Sequence, residues 1–224
     1  MPQNAWTLSY LDVIGLCRLA YKASGRQLTT YEFGGRRWRI AEIHEVGSFR
    51  AITLFGRDQQ NQEKKIVSFA GSDDLGDWGM GANLGNPVVG AENTTQYRNA
   101  LEYGRRQNPD YFTGHSLGGG MALYCCVLMG IRTATINTSP IFNDMFGRQF
   151  NRDNATAQVI NYCVAYEMLA AGRNTAGVGA FGVAVGATPG RRVTVSSTMP
   201  VYRPVSRHLL ANLTGFIEPQ PVSR

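Results

Sequence analysis

The sequence predicts an α/β fold: a mostly parallel central sheet with helices on both faces, built as a single domain over residues 1–224. Three observations predict it. From Thr94 onward, helix-like and strand-like segments alternate, the order expected when strands are joined by covering helices. The strand-like segments are short apolar runs, as in strands buried on both faces. Finally, 43% of the 224 residues are apolar and only 17% charged, enough to bury one sizeable core. That composition excludes a disordered chain, collagen, a coiled coil and a small disulfide-stapled scaffold.

The elements follow in order. Residues 8–21 space Leu8, Leu11, Ile14 or Gly15, Arg18 or Leu19, and Tyr21 as an amphipathic helix. The stretch KASGRQLTTYEFGG reads as a connection, after which WRIAEIHEV, SFRAITLFG and KKIVSFAG read as three strands, with residues 49–70 a hairpin across the polar DQQNQEK. TTQYRNALEYGRRQNP offers a capping threonine, a helical body and a stop at Pro109. DYFT is then a strand, GHSLGGG a sharp turn and MALYCCVLMG a buried helix, and TATINTSP, TAQVINYCV and RRVTVSST are further strands. Asn174 to Gly190 carries no charge and five glycines. It is too short and glycine-rich for a membrane span and reads as the wall of an apolar pocket or an interfacial loop.

Twenty-two Lys and Arg against sixteen Asp and Glu leave a net charge of +6, which favours anionic partners in general. Nucleic acid is not expected among them, because the arginines are scattered and no basic stripe is interleaved with aromatics. Cys17, Cys125, Cys126 and Cys163 lack CxxC spacing, so neither a metal site nor a disulfide framework is expected. The first apolar stretch, AWTLSYLDVIGLCRLAYKA, contains Asp12 and Arg18 and does not follow a basic segment. The expectation is therefore a cytoplasmic protein, or one secreted by a signal-independent route.

The strongest chemical signal is Gly114-His115-Ser116-Leu117-Gly118, a GxSxG placed where a short strand turns into a helix. Such a nucleophile elbow presents a serine hydroxyl with backbone N–H groups beside it. A serine needs an imidazole to take its proton. Of the three histidines, His115 lies inside the elbow and His44 in an early strand; His208, after the last strand, matches the order Ser, acid, His of α/β-hydrolases. The acid that orients the imidazole is sought between Ser116 and His208, where only Asp144, Asp153 and Glu167 occur. Glu167, following VINYCV, is the first choice and the two aspartates remain alternatives. The oxyanion donors expected are the N–H of Leu117 and Ser72 at the end of FAGS.

FAGSDDLGDW followed by TGHSLGGGMA resembles the class 3 lipases, the fungal-type lipases, related phospholipases A1 and their bacterial relatives. The resemblance covers roughly residues 45–215 and implies an α/β-hydrolase fold, with Ser72 and Leu117 as oxyanion residues, Ser116 as nucleophile and His208 as base. INTSPIF resembles the strand that ends in Ser-Pro in that family, which places Asp144 in the connecting loop and Glu167 nearest the family's acid. Two departures stand out: glutamate where the family has aspartate, and Ala70 where it often has arginine. The implied activity is hydrolysis of lipid carboxylic esters through an acyl-enzyme, as a lipase or phospholipase A1, without metal or organic cofactor. Alternatives are an esterase or thioesterase for soluble acyl substrates, and an inactive binding protein on a hydrolase fold. Arg173, Arg191 and Arg192 edge the uncharged run and read either as contacts for an anionic phospholipid surface or as a solvated basic face beside a packed loop. As an antibacterial effector, the protein would have an inhibitor protein as partner.

Overall fold

A computed structural model describes residues 8–22, 29–57, 60–71, 95–139, 141, 158–165, 190–200 and 209–222. Helix α1 (Tyr10–Lys22) begins with a reciprocal cap. The Ser9 N–H and hydroxyl both donate to Asp12 Oδ2 at 2.7 Å, and the Asp12 N–H donates back to Ser9 Oγ at 3.2 Å. Asp12 is buried, and Arg36 Nη1 reaches the same oxygen at 2.7 Å. Burial pushes its carboxyl pKa up, against the opposing pull of Ser9 and Arg36. The start of the helix is thereby tied to the strand that begins at Arg36.

Strands β1 (Thr30–Phe33) and β2 (Arg36–Val46) form a hairpin whose two turn residues, Gly34 and Gly35, have φ of 61° and 73°. Two consecutive positive φ values belong to a type I′ turn, which only glycine and a few short polar residues adopt readily. β1 falls in the stretch read from sequence as a connection. β3 (Phe49–Arg57) and β4 (Glu63–Phe69) form the expected hairpin, in register from Ala51 opposite Phe69 to Arg57 opposite Glu63. There follow α2 (Thr95–Gln107), β5 (Tyr111–His115), α3 (Leu117–Met129), β6 (Arg132–Ile136), β7 (Val159–Val164), β8 (Arg191–Val195), a 3-10 turn (Leu210–Asn212) and a two-residue β9 (Gln220–Pro221).

All nine strands join one sheet in the order β8-β7-β6-β5-β4-β3-β2-β1-β9. Strands β4 to β8 pair in parallel, whereas β4, β3, β2, β1 and β9 pair antiparallel. The expected mostly parallel sheet is thus corrected: among the described strands, half of the pairings are antiparallel. Short hairpin turns allow only antiparallel neighbours, and that is how β1 to β4 are connected, while parallel pairing begins where α2 and α3 supply crossovers.

Helices cover both faces. α1 packs Val13, Ile14, Leu16 and Cys17 on a layer that includes Ile52, Leu54, Ile66 and Tyr111. α2 and α3 pack Tyr97, Tyr103, Met121 and Leu123 on Ala51, Val67, Phe69 and Phe112. The alternation of Ala51 with Ile52, and of Ile66 with Val67, is the period of two that sends successive side chains to opposite faces. All four cysteines are buried, and none of them forms a disulfide. No helix among the described residues is long and apolar enough to cross a membrane.

The C-terminal segment lies on the α1 side. Leu210 and Leu213 enter the core there, and Glu218 pairs with Arg18 and Lys22 of α1. The carbonyl of Asn212 accepts from the Thr198 N–H at 2.9 Å, Ser197 Oγ at 2.9 Å and Thr198 Oγ1 at 3.1 Å. These bonds hold the returning chain just beyond the C-terminal end of β8. Since β4 to β8 run parallel, the ends of these strands gather along one edge of the sheet.

Candidate active site

At that edge β5, buried along its whole length, turns abruptly into α3 through Ser116. Ser116 has φ 56° and ψ −124°. The other non-glycine residues with positive φ among those described are Asn61, Asn108 and Asn137, and asparagine tolerates this region far better than serine. Holding a serine there costs on the order of 1–3 kcal/mol and persists only where the surroundings enforce it. Here they do. The Ser116 N–H donates to the Ile136 carbonyl at 3.1 Å, and its carbonyl accepts from Gly120 N at 3.1 Å and Ser139 N at 3.0 Å.

The glycines around the serine are required by close approach. A Cβ on Gly114 would run into the Gly118 carbonyl group and Gly119 N, and one on Gly118 into the Phe69 carbonyl oxygen, with Ala70 C at 2.8 Å. On Gly119 it would sit 2.6 Å from Thr138 Oγ1, and on Gly120 2.5 Å from the Tyr97 hydroxyl. α3 therefore starts in contact with the ends of β4 and β6. Gly118→Ala is expected to lower unfolding free energy by about 1–3 kcal/mol, the usual cost of an overpacked site, because its obstacle is rigid main chain. Urea denaturation measures it, and wild-type stability would show that the elbow tolerates a side chain there.

The Ser116 side chain makes no capping hydrogen bond to α3, and no acidic residue occupies the helix's first turn. The Leu117 N–H therefore stands at the positive end of a helix dipole, where negative charge is stabilised. The end of β4 borders the same spot: a Cβ on Gly71 would lie 3.3 Å from Ser116 Cβ and 2.8 Å from the His115 carbonyl oxygen. An acyl carbonyl at Ser116 would thus lie between the start of α3 and the chain leaving β4.

The two described histidines are engaged elsewhere. His115 is buried, with Nδ1 2.9 Å from the Tyr21 hydroxyl. His44 stacks on Tyr103 with ring centroids 4.9 Å apart and meets Phe49 edge to face. Its strand position lies in a row with Ala51, Phe69 and Gly114, three strand spacings or about 14 Å from the elbow. Neither imidazole is placed to receive the Ser116 proton.

Of the site residues expected from sequence, Ser116 and Leu117 come together at the turn. Ser72, Glu167 and His208 lie outside the described residues, as do Asp144, Asp153 and Arg173. Arg191 and Arg192 are exposed on β8. Sequence reasoning missed Tyr21, read only as part of an amphipathic helix, and Gly71 and Ser139, whose backbones brace the elbow. The glycine directly before Ser72 was the one available signal.

A family model described as Phospholipase-like, the Tle-like phospholipase domain, matches residues 17–211. No curated protein matches the chain.

Proposed function

Because the chain belongs to the Tle-like phospholipase domain family, we propose that it is a serine hydrolase of phospholipid carboxylic esters, a phospholipase A1 or lipase on an α/β-hydrolase fold. The observation that carries this reading is Ser116 at φ 56° on a strand-to-helix turn walled by glycine. A strained serine held by three main-chain hydrogen bonds, with its hydroxyl unused as a cap, is organised for attack and not for packing.

Ser116 Oγ adds to the ester carbonyl carbon while His208 takes its proton. The tetrahedral oxyanion is received by the Leu117 N–H and by Ser72. Collapse expels the alcohol, protonated by His208, and leaves an acyl-enzyme that water hydrolyses by the same route in reverse roles. Glu167 holds the imidazole in the right tautomer and stabilises it when charged.

The topology supports these assignments. β7 ends at Val164, three residues before Glu167, and Asn212, four residues after His208, accepts from the Thr198 N–H just beyond the end of β8, on the same edge as Ser116. With His44 and His115 occupied, the third of the three histidines is His208. Exposed Arg191 and Arg192 favour an anionic lipid surface, and delivery as an effector would account for an inhibitor protein as partner.

The test is to incubate purified protein with mixed phospholipid and triacylglycerol vesicles and identify the released products by mass. Fatty acid with the matching lysophospholipid is expected. Release should weaken as salt rises on anionic vesicles, where the Debye length shrinks from about 10 Å at 0.1 M to about 3 Å at 1 M. Activity on soluble esters alone would move the protein to the esterases, and no product from any ester would overturn the enzyme reading.

A further inference from the structure

The last turn of α1 reaches the elbow. The Tyr21 hydroxyl lies 2.9 Å from His115 Nδ1 and 3.5 Å from the His115 carbonyl oxygen, and the two rings meet edge to face with centroids 5.8 Å apart. A Cβ on Gly71 would collide with that same hydroxyl, as well as approaching the His115 carbonyl oxygen at 2.8 Å and Ser116 Cβ at 3.3 Å. Helix, elbow and the end of β4 thus converge on one point with no room for a methyl group.

The helix side of this junction is braced in turn. Arg50 Nη1 donates to the Tyr21 carbonyl at 2.7 Å, and Glu45 holds Arg50 Nε at 3.1 Å. The Arg50 carbonyl accepts the Ala70 N–H at 3.0 Å, so one residue of β3 grips both the C-terminus of α1 and the residue before Gly71. A guanidinium at a helix C-terminus is also favoured by the helix dipole. His115 is only 4% exposed, so its ring nitrogens depend on protein partners.

We infer that Tyr21 is a positioning residue of the ester-hydrolysing site: through His115 and Gly71 it fixes the separation between Ser116 and the strand end that leads to Ser72. The inference rests on Ser116 being the nucleophile. An oxyanion hole assembled from two chain segments works only if their spacing holds as charge develops. A displacement of about 1 Å costs on the order of 10² in rate. Tyr21 touches both segments and does not need to touch substrate.

The test compares wild type with Tyr21→Phe on a soluble ester, using a fluorophosphonate to count reactive Ser116 and a boronic acid as a tetrahedral mimic. In Y21F, kcat per titrated site is expected to fall by about tenfold or more, with KM within about twofold. Boronic acid affinity should fall by a similar factor, because the loss is confined to the tetrahedral state. A purely structural tyrosine would reduce the number of titratable sites and leave kcat per site unchanged; that result overturns the inference.

Arg50→Met, which removes the brace while keeping much of the stem, should give a smaller loss of the same kind, and it serves if Y21F does not fold. His115→Asn and the Y21F/H115N pair close a double-mutant cycle in which the pair loses little more than the worse single variant. Full additivity would overturn the route through His115. If the fluorophosphonate leaves wild-type Ser116 unlabelled, the hydrolase reading itself falls and this role falls with it, an outcome distinct from labelled wild type with unaffected Y21F.

Discussion

Ser116→Ala is expected to reduce ester turnover to background, a loss on the order of 10⁶ where a triad serine is removed, while the fold remains intact. The second half of that expectation comes from the structure. The Ser116 hydroxyl caps nothing, and the hydrogen bonds that hold the elbow are made by the main chain of residue 116. Alanine keeps the same backbone demand, so thermal stability should match wild type. Ser116→Gly goes further: glycine accepts φ 56° without a Cβ penalty, so it should gain about 1 kcal/mol while being equally inactive. Activity assays and melting curves on the three proteins check both halves. Retained turnover in S116A would end the serine mechanism. A clear destabilisation of S116G would show that the serine stands there for structure.

The elements legible in the sequence were those with strong periodicity or a sharp stop. Helices α1, α2 and α3 and strands β2 to β8 all fall in segments whose apolar spacing or turn residues marked them. β1 was missed although its signal was present, since Gly34-Gly35 between TYEF and the next strand is a hairpin dipeptide. β9 had no such signal: two residues, one a proline, form a strand only because β1 offers an open edge. The antiparallel half of the sheet is not legible in the sequence, because local pattern gives each strand but not its neighbour. At the site, GHSLGG announced the elbow, and the structure explains each of its glycines by a neighbouring atom. Tyr21 was illegible because its partners, His115 and Gly71, are distant in sequence and meet it only when α1 crosses the sheet.

His208→Ala is expected to lose nearly as much turnover as S116A, because serine and base act as one proton-transfer unit and removing either disables both. His44→Ala supplies the contrast. Its ring packs on Tyr103 and Phe49 about three strand spacings from the elbow, so the variant should lose some stability and keep most of its activity. An inactive H44A with an active H208A would mean that the chain after β8 does not serve the serine. The acid is tested beside the base. Glu167→Gln keeps size and removes charge, so the imidazolium formed during proton transfer loses its partner and its tautomer is no longer fixed, a loss expected on the order of 10²–10⁴ in turnover. Glu167→Asp should retain part of the activity, being one methylene shorter but still charged. Asp144→Asn and Asp153→Asn should remain near wild type. Turnover on one soluble ester, with folding matched by circular dichroism, compares all of them. Collapse in D144N or D153N with an active E167Q would move the acid from the end of β7 to the segment between β6 and β7, and the order of the site along the sheet edge would change with it.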